Sequence, residues 1–125
     1  MKRSACALLT VAVLAGCGGD SHESLAADSV ATMKELIATL ETVKDAASAK
    51  AAKPKLTAVV QKMQKIQERQ TKLGVPSDAD LKAMESTLGK EIEGLQQKMV
   101  TAMMRIQFDP AIQAELGDID MKGMK

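Results

Sequence analysis

The sequence predicts an all-α fold: a small antiparallel three-helix bundle with a short C-terminal fourth helix, preceded by a signal peptide and a flexible tether. Three observations predict the helical body. Leu, Ile, Val and Met recur at spacings of three and four through three long segments, as on one face of a helix. Breakers and capping residues separate those segments, at Gly74-Val75-Pro76-Ser77 and at Phe108-Asp109-Pro110. No period-two alternation, Gly-rich phosphate loop or fixed repeat competes with that pattern. Short connections between long helices make consecutive ones antiparallel.

The first helix is placed at 29–47, where Met33, Leu36, Leu40, Val43 and Ala47 form one stripe and Lys34, Glu35, Glu41 and Lys44 take other faces. The Ala- and Lys-rich stretch 45–53 reads as the end of that helix, a connection and the lead-in to the next, with Ser48 capping a short turn. The second helix is placed at 54–73. Pro54 then falls in its first turn, where a missing N–H costs nothing; a start at Ser48 instead puts Pro54 inside the helix and kinks it. Leu56, Val59, Met63, Ile66 and Leu73 form its stripe. Gly74 is placed to take a left-handed C′ conformation, Val75 to pack back on the last turn, and Pro76 to stop the helix.

Ser77 is the expected N-cap of a third helix at 77–106, with Asp80 completing a capping box and Asp78 favourable to the helix dipole. Its apolar line is Leu81, Met84, Leu88, Ile92, Leu95, Met99, Ala102 and Ile106, and Gly89 and Gly94 weaken it by about 1 kcal/mol each. At about 45 Å it outruns its partners, so its C-terminal half protrudes unless something covers it. A fourth helix at 109–116 supplies a cover: Asp109 as N-cap, Pro110 at N1, Phe108 stapling onto Ile112 or its neighbours, and Gly117 as the stop. Residues 118–125 read as a flexible tail.

Ahead of the helices, Met1-Lys2-Arg3 forms a basic start and Ala5 to Gly16 an apolar run of signal-peptide length, too short for a stable membrane span of roughly 20 residues. The run ends in Leu14-Ala15-Gly16-Cys17, which resembles the lipobox of bacterial lipoproteins. The resemblance implies a cleaved signal peptide at 1–16, recognised through Leu14, Ala15 and Gly16, and a Cys17 that carries covalent lipid on its thiol and amine. It implies a cell-envelope location. Gly18 stands where such proteins carry an aspartate for inner-membrane retention, which favours the periplasmic face of the outer membrane in a host that has one. Residues 17–28 then form the lipidated cysteine and a flexible tether, with His22 in the tether. The body at 44–56 resembles small uncharacterised helical lipoproteins of bacteria, which implies location and fold but no activity. Lys125 is similar to the terminal lysine of Braun-type lipoproteins, which is joined to peptidoglycan; the prolines at 54, 76 and 110 depart from their unbroken coil. Leu56-Thr57 with Gln61 is similar to the LTxxQ motif of periplasmic helical chaperones, with the glutamine one position late.

Composition limits the chemistry. Loss of Lys2 and Arg3 takes the basic side chains from 17 to 15, against 16 acidic ones, a balance that offers nothing to nucleic acid. The 2 cysteines go to the signal peptide (Cys6) and to lipid (Cys17), which leaves neither a disulfide nor a thiol nucleophile. With a single histidine and no Tyr or Trp, no base-activated nucleophile is recognisable, and Glu91 and Glu93 face different directions. The expectation is a non-enzyme without a bound cofactor. Its partners are the bilayer, through the anchor, and an unidentified protein or a second copy of the chain. Methionine is abundant: Met99 with Met103, and Met121 with Met124, stand one turn apart, a spacing that suits thioether ligation of Cu(I), although Met is also a common core filler. Met103 and Met104 beside Val100 offer an adaptable apolar contact. Lys55, Lys62, Lys65, Arg69 and Lys72 form a basic stripe, to be solvated, laid on anionic head groups or paired with the acidic third helix. The leading reading is a membrane-anchored helical module for envelope structure or protein–protein interaction. A Cu(I)-binding lipoprotein and a wall-linked lipoprotein through Lys125 are the alternatives.

Overall fold

A computed structural model describes residues 20–119. The fold is all-α, with four helices in the described residues: α1 His22–Glu41, α2 Ala46–Leu73, α3 Asp78–Gln107 and α4 Pro110–Leu116. Leu14, Ala15, Gly16, Cys17, Met121, Met124 and Lys125 lie outside the described residues.

Each helix starts on a side-chain cap. Ser21 and Ser24, Asp45 and Ser48, and Ser77 and Asp80 form reciprocal capping boxes for α1, α2 and α3, and Asp109 accepts from the backbone N–H groups of Ala111 and Ile112 to open α4. Two of these caps move boundaries. Ser21 starts α1 at His22, so 22–28, expected as tether, is helical and His22 is the first helical residue. The Ser-for-Ser box at 21 and 24 lacks the Glu or Gln of the usual signature. Asp45 starts α2 at Ala46, so α1 ends at Glu41, 46–53 is helix, and Ser48 is the third residue of the box. Pro54 is therefore inside α2 and leaves the Lys50 carbonyl without its i+4 donor. The alanines and lysines around it are strong helix formers, and Ala49 and Ala52 are buried.

The punctuation at 74–77 operates with two differences. Gly74 has φ +87° but an extended ψ of −161°, and its N–H donates to the Gln70 carbonyl. Val75 does not fold back on α2; it is 92% exposed. The staple expected from Phe108 also fails to form, since Phe108 is 83% exposed while Ile112 is 1% exposed. Ile112 turns into the bundle instead. The segment after α4 is held rather than loose at its start: Lys53 Nζ donates to Asp118 at 2.9 Å, and Ile119 packs on the core.

Consecutive long helices are antiparallel. Glu35 meets Lys62 and Asp28 meets Arg69 between α1 and α2, while Val30, Ile37, Leu88 and Leu95 gather α1 beside a parallel α3. Helix α1 is central, packed on both α2 and α3. Helix α4 also packs on both, but α2 and α3 have no close backbone approach. Because α1 is flanked on two sides, it buries more than one stripe: Leu36 and Leu40 toward α2 and α4, Val30 and Ile37 toward α3. Its buried Thr32 and Thr39 satisfy their hydroxyls internally, each donating at 2.8 Å to the carbonyl four residues back.

Candidate functional site: an apolar groove between α2 and α3

In a closed three-helix bundle the space between the second and third helices is filled by side chains. Here it is a cavity of about 310 Å³. Leu36 and Leu40 of α1 form the floor, Leu56, Val60 and Met63 of α2 one wall, and Met99, Met103 and Ile106 of α3 the other; Leu116 and Ile119 close one end. No charged or polar side chain lines it. The local reason is composition. The chain has 1 Phe and no Trp or Tyr, and that Phe points to solvent, so no ring is available to fill the space. Leu, Val and Ala hold the helices on α1, and flexible methionines edge the gap that remains.

The structure brings Met99 and Met103 into this wall and adds Met63 from the facing helix. Sequence spacing relates residues within one helix, so it had no means to register Met63 against the other two. Met103 is 43% exposed, and the surface continues outward to Val100 and Met104, which are also half exposed. Among the described residues no group of three His, Cys, Asp or Glu side chains is disposed to hold a metal ion, and no helix is long and apolar enough to cross a membrane.

The charged groups lie elsewhere. Arg69 is bonded to both carboxylate oxygens of Asp20, its Nε reaching one at 2.9 Å, and to Asp28 at 3.2 Å. These bonds hold the Asp20 carboxyl below the usual carboxylate range and push the Arg69 guanidinium further up. Lys62 pairs with Glu35 at 2.6 Å, and Lys34 of α1 pairs with Glu91 of α3. Two members of the basic stripe are thus neutralised by α1, not by the acidic third helix. The Ser48 backbone and hydroxyl lower the Asp45 carboxyl, and the Ser77 hydroxyl and backbone lower that of Asp80, with a smaller contribution from His22. These are caps and ties, and none faces the cavity.

No family model matches the chain, and neither a curated protein nor a solved structure is found to match it. The groove between α2 and α3 is accordingly the feature on which a functional reading rests.

Proposed function

We propose that the chain is a lipid-anchored envelope protein, tethered through Cys17, that works as a non-catalytic binding module. The observation that carries the binding role is the open apolar cavity between two helices that share a partner but have no close backbone approach to each other. A volume near 300 Å³ lies at the lower end of the range in which ligand sites fall. Leu14-Ala15-Gly16-Cys17 supports the anchor, through its likeness to the lipobox. The absence of any nucleophile–base pair in the sequence supports the non-catalytic reading.

The test is binding of the apolar dye N-phenyl-1-naphthylamine to the full chain carrying Cys17→Ser. Its fluorescence should rise and saturate, and Met103→Trp, which fills the groove, should abolish the rise. Equal enhancement with and without that substitution contradicts the groove as the working element. The anchor is tested separately: cells fed labelled fatty acid should label the protein, Cys17→Ser should abolish the label, and equal labelling of the two contradicts it.

Cu(I) binding is a second reading, favoured by one observation: Met63, Met99 and Met103 line the same cavity from facing helices. Three thioethers suit a soft monovalent ion. Titration with Cu(I) under a competing chelator should show one site that Met63→Leu weakens, and no uptake by the unsubstituted chain removes this reading.

A further inference from the structure

We infer that the groove takes a single unbranched acyl chain, so that its ligand class is the fatty acid or single-tailed lipid. This rests on the groove being a binding site, as proposed above, and names its occupant. Three observations point to an aliphatic chain rather than to a polypeptide.

The first is size. A helix 10–12 Å across with a 5.4 Å pitch occupies roughly 500 Å³ per turn. The cavity, at about 310 Å³, holds less than one turn. The same space holds about ten groups of methylene size, each taking roughly the 30 Å³ that a water takes in the liquid.

The second is chemistry. An extended peptide brings one N–H and one C=O per residue, and each needs a partner when taken out of water. The walls are Leu, Val, Ile and Met and offer none. A hydrocarbon chain has no such need.

The third is adaptability at the mouth. Met103 is 43% exposed, and Met63 and Met99 are partly buried on the two walls. Three rotatable bonds per side chain let them close around a chain whose length and bend vary. No charged side chain lines the cavity, so the tail enters and the polar head stays in solvent.

The position along α1 adds a consequence. Leu36 is about four helical turns beyond Ser21, roughly 22 Å along the axis. A chain in the groove therefore lies toward the end of α1 farther in sequence from Cys17.

The experiment is displacement of N-phenyl-1-naphthylamine from the full Cys17→Ser chain by octanoate, decanoate, dodecanoate and tetradecanoate, below their micelle concentrations. Affinity should rise roughly fourfold per added methylene, the fold-change that corresponds to ~0.8 kcal/mol per buried CH₂, and flatten at about ten carbons. Met103→Trp and, from the other wall, Met63→Trp should each abolish binding. Met104→Trp, on the neighbouring exposed position outside the cavity, should not. Far-UV circular dichroism establishes that each variant folds, and one folded groove variant suffices.

Dye bound in the groove but displaced by none of the acids overturns the acyl inference and leaves the binding module standing. Failure of the dye as well overturns both. A rise in affinity that continues unbroken to tetradecanoate and survives Met103→Trp shows partition onto exposed apolar surface and overturns the inference. So does a dimer that Met103→Trp makes monomeric and that no acid dissociates, since the groove is then filled by a second copy.

Discussion

The two ends of α1 are stabilised by different physics. At the end nearer Cys17, the buried apolar side chains are Leu25, Ile66 of α2 and a small cluster, Val30, Ile37, Leu88 and Leu95, shared between α1 and α3. The contact with α2 there adds exposed polar ties around the buried Ile66: Arg69 with Asp20 and Asp28, Lys62 with Glu35, and Gln70 with Ser29. At the far end, Leu36, Leu40, Val43, Ala49, Ala52, Leu56, Val59, Ala102 and Ile112 form a larger cluster drawn from all four helices. Yet that better-buried end contains the cavity. The scarcity of rings leaves the gap, and α4, tied to both α2 and α3, bounds it at this end.

The strongest way to break this contrast is to remove the brace. Ile112→Ala should cost about 4 kcal/mol in chemical denaturation, toward the upper part of the range for a buried Ile, whereas Leu88→Ala at the other end should cost about 2 kcal/mol. Ile112 is 1% exposed and Leu88 9%. Equal losses from the two substitutions contradict the asymmetry. A second substitution sharpens it by its sign. Pro54 interrupts α2 at the braced end, so Pro54→Ala should raise stability by about 1–3 kcal/mol. A helix that began at Pro54 would lose its N1 proline and gain nothing.

Gly94 offers a smaller effect on α3. A Cβ there meets nothing within 4 Å, so Gly94→Ala should stabilise by about 1 kcal/mol, read from the same denaturation curves. Gly74→Ala should do the reverse, because φ is +87°. The smallest effect belongs to the ion-paired end. Arg69→Gln should produce a shift in thermal midpoint that vanishes in about 1 M salt, where screening extends over only ~3 Å. It should also release the Asp20 carboxyl toward its ordinary range, as measured by carboxyl NMR titration. The sign of the pH dependence follows from depressed folded values. The stability contributed by Asp20, Asp45 and Asp80 is complete above the unfolded range near pH 4 and is lost as pH falls through their folded values.

The fold class, the helix order and the starts of α3 and α4 were legible in the sequence because they depend on local signals: apolar spacing, Ser77 with Asp80, and Asp109 with Pro110. The misplaced ends have equally local causes. Ser21 with Ser24 and Asp45 with Ser48 are capping boxes in composition but not in the usual Glu or Gln form, and Pro54 looks like a start when it is tolerated inside an alanine-rich helix. Val75 and Phe108 are apolar residues at positions where packing is common, and only the tertiary arrangement leaves them in water. The groove belongs to a different level. Met99 and Met103 were legible as a pair on one helix, but Met63, Leu36 and Leu116 join them through the separation of α2 from α3. The scarcity of aromatic side chains was the one compositional hint that a small bundle leaves its own centre unfilled.

The separation of α2 from α3 is tested most directly by a cysteine pair across the groove. Val60 and Met99 stand on opposite walls, and no Cα of α2 lies within 8 Å of one of α3. A disulfide needs Cα atoms closer than about 7 Å. In a chain with Cys6→Ser and Cys17→Ser, the pair Val60→Cys and Met99→Cys should remain reduced under copper-phenanthroline oxidation while the protein stays folded. Rapid, complete formation of the intramolecular disulfide in the native state would show that α2 and α3 meet, and that the bundle has no groove.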